Sequence, residues 1–298
     1  MLDWNTPKLS DKEWIEKCVK ESQYIGSDAA FANIYLLRSK YNIKVTYYKD
    51  LLIRYYEGLG NRKGYTFPLG RKDVLSALYA IEQDAKEMNR PLEFCFVTEE
   101  QKEILENTFA GRTESSSDAG DYDYIYGQPE LSLISGRTYH KKKNHVSKFK
   151  RTYEDYMFCE IGNGNLDDVM LIEDEWYYDR LQQDDTSAMK EYEAIREAVD
   201  NFEELSLSGG IIYANNVPVA MTIASYINDA AVDIHFEKAV GEYAVNGGFA
   251  AINQMYASTL KDVKFINREE DINIPGLRKA KESYHPKFML KKYGVRVK

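Results

Sequence analysis

Acidic and basic side chains lie close together in residues 267–286, which read NREEDINIPGLRKAKESYHP. Pro275 suits the first turn of a helix, and on that helix Arg278 and Lys281 fall on one face. Several carboxylates, Asp271 among them, come just before the helix. Acids and bases meeting in so small a space could transfer protons or bind an anion, although the spacing by itself is more typical of a solvated, salt-bridged helix.

A second cluster is basic, because residues 137–151 contain seven Lys or Arg and no acid in a chain whose net charge is −9. On a helix, Lys141, His145 and Lys148 share one face, which would suit phosphate in polyphosphate, RNA or a lipid headgroup. The alternative interpretation is a solvated helix face. The candidate substrate-binding residues of this cluster are Arg137, His140, Lys141, Lys142, Lys143, Asn144 and His145.

A third set of polar residues lies on a predicted strand, residues 231–239. Asp233, His235 and Glu237 alternate along it, so their side chains share one face, which we expect to line a cleft. No further ligand follows at a spacing characteristic of metal sites. The sequence therefore predicts no metal.

The elements that must position these residues alternate between strand and helix, which favours an α/β or α+β fold. In the first part of the chain, paired strands over 43–48 and 51–57 precede an amphipathic helix over 71–89 and a strand over 92–97. In the second part, acid-rich helices over 166–184 and 187–202 precede a three-stranded meander, a Gly-containing loop over 241–248 and a helix over 249–260.

The middle of the chain links these parts. Residues 111–127 are rich in Gly, Ser, Asp and Tyr and are predicted to form a loop. A single helix over 131–153 would follow, carry the basic cluster and bridge the two parts. We therefore predict two domains, residues 1–130 and residues 131–298.

Composition sets outer limits on the class of protein. The three cysteines, Cys18, Cys95 and Cys159, are widely spaced and odd in number, which indicates a reducing compartment rather than a disulfide framework. The longest apolar run, near residues 217–227, is far shorter than the ~20 residues of a membrane helix, and the N-terminus has no signal-peptide pattern. We expect a soluble, cytoplasmic protein, with peripheral contact at the inner membrane face as the alternative.

The acid–base segment resembles the hallmark of the family named for the C-terminal domain of phosphatidylglycerol lysyltransferases. The resemblance extends to the basic block and to residues 65–70 and 123–126. One departure is Asn273, where the family commonly has Gly; Asn tolerates left-handed geometry, so the turn can persist. The hallmark residues in this chain are Asn267, Glu270, Asp271, Gly276, Leu277, Arg278, Lys281, Tyr284 and Pro286.

The resemblance implies a GNAT-like acyltransferase fold occurring twice in tandem, as in Fem-type peptidyltransferases. It implies an aminoacyl-tRNA donor and a lipid or cell-envelope precursor as acceptor. Asp271 would orient the acceptor or its proton, while Arg278 and Lys281 would bind phosphate or stabilise developing negative charge. Further substrate-binding candidates in the second half are Asn267, Glu270, Tyr284 and His285, together with Asp233, His235 and Glu237.

Two other functions remain open. GNAT enzymes hold a pyrophosphate on the N–H groups at a helix start, which Asn246, Gly247 and Gly248 would provide here. Acetyl-CoA users generally carry a cation in that loop, and residues 242–248 lack one, so a CoA-dependent N-acyltransferase acting on a small amine is the second hypothesis. A non-catalytic module that binds an anionic partner is the third. No DNA partner is expected.

Overall fold

The structure, a computed structural model, describes residues 2–182 and 188–298. The predicted helix ends at residues 184 and 187 lie outside this part of the chain. The strands of the described residues are β1 (Lys44–Tyr48), β2 (Leu51–Glu57), β3 (Lys63–Thr66), β4 (Leu92–Val97), β5 (Thr113–Ser117), β6 (Asp123–Gly127), β7 (Met157–Glu160), β8 (Ser208–Ala214), β9 (Val217–Asn228), β10 (Ala231–Ala239), β11 (Phe265–Asn267), β12 (Phe288–Leu290) and β13 (Tyr293–Val297). The α-helices are α1 (Lys12–Ser22), α2 (Phe31–Leu36), α3 (Leu75–Glu87), α4 (Glu99–Thr108), α5 (Gln128–Leu133), α6 (His140–Thr152), α7 (Leu166–Leu181), α8 (Ala188–Asp200), α9 (Gly241–Val245), α10 (Gly248–Thr259) and α11 (Pro275–Glu282).

These strands form two mixed sheets flanked by helices, which confirms the predicted fold class. The first sheet has the order β1-β2-β3-β4-β13-β5, and the second has the order β12-β6-β11-β10-β9-β8-β7. Each sheet contains one parallel pair, β3 with β4 in the first and β10 with β11 in the second. Within the described residues, no helix is long and apolar enough to span a membrane.

The two sheets exchange strands. β6 lies early in the chain but pairs with β11 and β12 in the second sheet, while the last strand, β13, inserts between β4 and β5 in the first. Each sheet therefore contains strands from both sides of residue 130, and the division of the chain at that residue stays a prediction.

A continuous apolar core joins the two sheets. Ile15 of α1 and Ile34 of α2 are fully buried, and they belong to one cluster with Leu52 of the first sheet and Ile223 of the second. Helices α1 and α2 are therefore held between the sheets. At about 25 cal/mol per Å² of apolar surface, such burial is the main force that holds the two halves together.

The parallel strands β10 and β11 separate after a short contact. They pair at Ala231, Val232 and Asp233; β10 then continues to Ala239 paired only with β9, while β11 ends at Asn267. This separation leaves a space beside the second half of β10, here termed the crevice, across which the side chains of Arg268 and Glu237 pair. It lies where the candidate polar residues of that strand are found.

Two predictions about the middle of the chain were wrong. Residues 111–127 contain β5 and β6 rather than a loop; β5 is exposed and reads TESSS, so it shows no apolar alternation. The single helix over 131–153 is divided into α5 and α6, because Ile134 and Gly136 adopt positive φ angles of 38° and 86° and interrupt helical hydrogen bonding.

Candidate functional site

The candidate site is centred on β10 and receives one side chain from the first half. The Asn33 side chain on α2 is buried, and its Nδ2 donates to Asp233 Oδ2 and to Glu269 Oε1, each at 2.9 Å. Its Oδ1 lies 3.1 Å from Nδ1 of His235. Asn33 therefore holds two carboxylates and an imidazole together.

His235 is held by a hydrogen bond at each ring nitrogen. Because an amide oxygen only accepts, Nδ1 of His235 donates to Asn33, and in the neutral imidazole Nε2 accepts from the Ser225 hydroxyl at 2.8 Å. The pairing of β9 and β10 shifts register between Ile234 and Phe236, so His235 is the extra residue of a β-bulge. A bulge redirects a side chain and is common beside active sites.

The two carboxylates and the imidazole of this cluster differ in their access to solvent. The side chains of Asp233 and His235 are 0% and 1% exposed, while that of Glu269 is 27% exposed. Burial, together with the nearby charge of Glu269, raises the pKa of Asp233 well above its usual range. Glu269 is therefore the member of the cluster through which solvent or a substrate makes contact.

A buried ionic network adjoins this cluster and joins the two halves. Lys292, next to β13, donates to Asp123 of β6 at 2.7 Å and pairs with Asp28 at 3.1 Å. Asn267 donates to the same Asp123 carboxylate at 2.9 Å, and Arg54 pairs with Asp28 at 3.0 Å. Such charges are stable away from water only because each has a partner.

Asp271, the predicted catalytic carboxylate, is completely buried. Arg278 binds it through two hydrogen bonds of 2.7 and 2.9 Å, and the Tyr124 hydroxyl donates to it at 2.7 Å. The hydrogen bonds from Arg278 lower the pKa of Asp271 to about 2. A carboxylate with so low a pKa is a weak base near neutral pH, so the geometry favours a positioning role.

The turn that precedes α11 is built as the sequence indicates. Asn273 has a φ of 59°, the left-handed conformation that Asn tolerates, and its backbone N–H donates to Asp271. Pro275 occupies the first turn of α11. Lys281, on the same helix, is buried, and its ammonium donates to the backbone carbonyls of Arg268 and Glu270. Burial lowers the pKa of Lys281.

A pair of opposite charges crosses the crevice between β10 and β11. Arg268 contacts Glu237 at 2.6 Å, and Glu237 also accepts from Asn253 of α10 at 3.0 Å. The guanidinium of Arg268 lies 4.7 Å from the centre of the Tyr284 ring, and the Lys142 ammonium lies 3.7 Å from that same ring. Burial and the charge of Arg268 lower the pKa of Lys142 to about 8.

The basic helix α6 packs against the loop that precedes α10. Gly247 is buried with a φ of 103°, and a Cβ there would collide with the carbonyl oxygen of His145. Asn246 donates to the Tyr153 hydroxyl at 2.8 Å, and Gly248 is buried as well. The start of α10 is therefore covered by α6.

Most cations of α6 face solvent without an acidic partner. Lys141, Lys143 and His145 are exposed, as are His140 and Asn144 beside them. Across residues 2–182 and 188–298, no carboxylate lies within salt-bridge distance of the cluster's lysines or arginines. The surface of α6 is therefore locally positive in a protein whose net charge is −9.

The structure brings the predicted residues into separate groups. Asp233 and His235 lie in the central cluster, Glu237 and Tyr284 lie at the crevice, and Asn267 lies in the ionic network. Other predicted residues are more remote or already paired. Among these, Glu270 pairs with Arg62 at 2.9 Å, His285 is exposed with its ring 5.7 Å from that of Tyr139, and Arg137 is exposed.

Sequence reasoning assigned no role to several residues of the site. Asn33, Ser225 and Lys292 contact the site residues from other parts of the fold. Arg268 directly follows the candidate residue Asn267, but the sequence predicts no role for it. No local spacing marks the first three. Asp123 of the ionic network also had no predicted role. It belongs to residues 123–126, which resemble the family, and this resemblance is the one sequence signal that could have identified it.

The geometry also bears on a metal ion. Asp233, His235 and Glu269 offer ligand atoms within 4.8 Å of one another. The Asn33 Nδ2 group donates to both carboxylates and so takes the position that a cation would occupy between them. The absence of a metal from the site stays a prediction.

Comparison with known proteins adds an independent line of evidence. The sequence matches the family described as phosphatidylglycerol lysyltransferase, C-terminal, over residues 20–296. No curated protein sequence matches it. A solved structure of a conserved protein of unknown function from Bacteroides thetaiotaomicron VPI-5482 is 30% identical, with a TM-score of 0.94 and full coverage of both chains.

More distant structures share the fold. The structure of L-PGS from Bacillus licheniformis is 15% identical, with a TM-score of 0.67 over 96% of this chain and 92% of the other. A tandem GNAT protein from the clavulanic acid biosynthesis pathway is 9% identical, with a TM-score of 0.50 over 100% and 98% of the two chains. These likenesses confirm the predicted tandem GNAT-like architecture. With the hallmark residues assembled around α11 and a family match that spans nearly the whole sequence, this chain belongs to the phosphatidylglycerol lysyltransferase C-terminal family.

Proposed function

We propose that this protein transfers an aminoacyl group from aminoacyl-tRNA to a hydroxyl or amine of an acceptor, at the crevice between β10 and β11. The observation that carries the proposal is the position of α6. Its exposed, unpaired cations lie directly beside the start of α10, within reach of the crevice. A polyanionic donor held on α6 would thus have its reactive end near the central cluster.

The covered start of α10 favours this donor over acyl-CoA. A GNAT enzyme binds the CoA pyrophosphate on free N–H groups at that helix start. Here Gly247 and Gly248 are both buried; His145 of α6 packs against Gly247, and Tyr243 and Ala239 pack against Gly248. The same helix that would bind RNA therefore occupies the place where the pyrophosphate of CoA would bind.

The central cluster supplies the proton chemistry that transfer requires. The acceptor must lose a proton as it attacks the ester carbonyl. Glu269 is partly exposed and shares Asn33 with Asp233, while His235 lies 3.7 Å from Glu269. Asp271 and Arg278 do not contact the reacting groups in this proposal. Their bidentate ion pair stabilises the turn over residues 268–273, and this turn positions Glu269.

A separate cavity suits the apolar part of an acceptor. It has a volume of about 520 Å³ and is bounded by α1, α4, the loop after β3 and residues 289–291. Its apolar lining includes Ile25, Phe67, Leu69, Val74, Ile104 and Leu290. Ile25 also accepts a hydrogen bond from Asn267, so one layer of chain separates the cavity from the ionic network. An amphiphilic lipid or envelope precursor is the acceptor class that this lining favours.

The donor can be tested by measuring binding of bulk tRNA at several salt concentrations. Replacing Lys141, Lys142 and Lys143 by Gln should flatten the plot of log K against log salt by roughly 0.7–0.9 for each phosphate that the variant no longer neutralises. The matched control replaces the exposed lysines 17, 40 and 63, which lie away from α6, and should leave the slope unchanged. An unchanged slope in the α6 variant would refute the proposed role of this helix.

Calorimetric titration with acetyl-CoA separates the two donors. We expect no saturable binding, because the helix start that would hold the pyrophosphate is covered. Micromolar binding would instead favour the CoA-dependent N-acyltransferase. In the aminoacyl-tRNA case, mixed charged tRNA incubated with a lipid extract should yield aminoacylated lipid.

A further inference from the structure

We infer that the cavity bounded by α1 and α4 binds a single-chain amphiphile whose head carries both a positive and a negative group. This inference rests on the proposed function and deepens it, because it names the class of acceptor that the cavity takes. The exposed residues Glu100 and Lys291 belong to its lining, so the cavity opens to solvent.

The size of the cavity limits how many apolar chains it can hold. Cavities of about 300–1,000 Å³ typically hold one drug-sized ligand. At about 520 Å³, this cavity lies in the lower half of that range. A lipid with two long chains would leave one of them in water, at a cost of about 25 cal/mol per Å² of apolar surface. A single chain is therefore the occupant that fits the volume.

The apolar wall of the cavity comes from elements on opposite sides of it. Phe67 and Leu69, in the loop after β3, are buried, while Ile104 of α4 is an exposed aliphatic residue of the lining. Residues 67–70 belong to the stretch that resembles the family, and the proposed transfer chemistry uses none of them. A chain in the cavity would contact this stretch and cover Ile104.

Charges of both signs lie at the rim of the cavity. Lys291 is close enough to Glu99, at the start of α4, for their charges to interact. Glu99 already pairs with Lys102 at 2.6 Å and accepts from the Tyr293 hydroxyl. Among the residues that the structure describes, neither Glu100 nor Lys291 has a salt-bridge partner. The rim thus offers one free carboxylate and one free ammonium, which complement a zwitterionic head.

The cavity also borders the ionic network at two points. Tyr24 lines the cavity, and its hydroxyl donates to Asp28 at 2.8 Å. Lys291 is followed directly by Lys292, which pairs with Asp28 and Asp123. A head bound at Lys291 would therefore lie beside the network that adjoins the central cluster.

Calorimetric titration with soluble decyl amphiphiles, below their micelle concentrations, tests the head. Decylphosphocholine should bind saturably and more tightly than decyl sulfate or decyltrimethylammonium. Glu100→Gln should weaken binding of decyltrimethylammonium alone and Lys291→Gln that of decyl sulfate alone, each by up to about fivefold, as for an exposed ion pair. Both side chains are exposed, so both variants should fold. Equal affinities for the three heads would overturn the inference.

A second set of titrations tests the chain. Ile104→Gln should weaken binding of decylphosphocholine by roughly fivefold, since burial of each methylene group contributes about fourfold. Leu171→Gln is the matched control, because Leu171 is an exposed aliphatic residue of α7 outside the cavity, and its binding should be unchanged. Dihexanoylphosphatidylcholine, which has two chains, should bind more weakly than decylphosphocholine. Equal or tighter binding would overturn the single-chain limit.

Binding of bulk tRNA separates this inference from the proposed function. Helix α6 does not line the cavity, so Ile104→Gln should bind tRNA as the original protein does. A protein that binds tRNA through α6 but none of the decyl amphiphiles would overturn the inference and leave the proposed donor intact. Amphiphile binding that follows these variants in a protein whose α6 test fails would support the cavity ligand and refute the donor.

Discussion

At the scale of single residues, the carboxylates of this protein divide by environment. Asp271 receives a guanidinium fork and has a lowered pKa, whereas Asp233 is buried beside another carboxylate and has a raised pKa. Groups with pKa values shifted in opposite directions within one region are typical of functional sites. Here the lowered pKa belongs to Asp271, which acts as a positioning residue, and the raised pKa belongs to Asp233, in the cluster that we propose transfers protons.

Asp271→Asn should reduce stability in a pH-dependent way. The folded-state pKa of about 2 lies below the unfolded value near 3.9, so the stabilisation is present above about pH 4 and is lost as the pH falls towards 2. We expect a loss of about 1–3 kcal/mol near pH 7, since buried hydrogen bonds to a charged group are broken. Urea unfolding between pH 7 and pH 3 measures this. A constant difference between the two proteins across that range would contradict the assignment.

Lys142→Arg should alter the pH dependence of polyanion binding. With a pKa of about 8, Lys142 loses its charge as the pH rises through that value, and binding of bulk tRNA should weaken. Arginine stays charged, so Lys142→Arg should bind almost equally at pH 7 and pH 9. Exposed Lys141→Arg serves as the control and should retain the pH dependence. Equal pH profiles for the original protein and Lys142→Arg would show that Lys142 does not contact the ligand.

At the scale of elements, the proposed function depends on the packing of α6 against the start of α10. The contact requires a residue without a side chain at Gly247, because a Cβ would collide with the His145 carbonyl and the backbone φ is 103°. The same contact places the basic face beside the crevice. A helix with this charge pattern elsewhere on the surface would bind anions with no consequence for transfer.

Gly247→Ala should therefore destabilise the protein and weaken tRNA binding together. The steric collision and the backbone strain should each lower the free energy of unfolding by about 1–3 kcal/mol. Gly276→Ala on α11 is the matched control, because a Cβ there meets nothing within 4 Å and its backbone is helical. We expect that variant to be unchanged or up to about 1 kcal/mol more stable. Denaturant unfolding and tRNA binding measure both effects, and a neutral Gly247→Ala would disprove the tight packing.

At the scale of the whole molecule, the two halves cannot be separated without breaking both sheets. β13 completes the first sheet, β6 completes the second, and Lys292 joins Asp28 to Asp123 beneath them. Removing one partner from such a buried network costs about 3–5 kcal/mol. The halves therefore support each other in folding as well as in forming the site.

Expressing residues 1–130 and 131–298 separately tests this dependence and the proposed domain division together. Each fragment lacks a strand that its own sheet requires, so neither should show a cooperative thermal transition alone. Mixing the fragments should restore one. Two independently folded fragments would instead support a boundary at residue 130 between self-sufficient domains.

Local sequence determined the features that depend on near neighbours. Pro275 indicated the start of α11, the alternation of Asp233, His235 and Glu237 indicated one strand face, and Asn273 indicated a left-handed turn. These follow from backbone geometry and side-chain periodicity, which act over a few residues. The tandem GNAT-like fold also came from sequence, through family resemblance rather than physical pattern.

Tertiary structure alone decided which side chains meet. Asn33 contacts Asp233 across 200 positions, Lys292 reaches Asp123 across 169, and the bulge that turns His235 toward Ser225 arises from strand pairing. β5 and the break between α5 and α6 were missed for the same reason, since pairing with β13 and packing on α10 outweigh weak local preferences. The sequence of this protein therefore identifies most of the side chains that could take part in chemistry. The packing of its two halves determines which of these side chains lie close enough to act together.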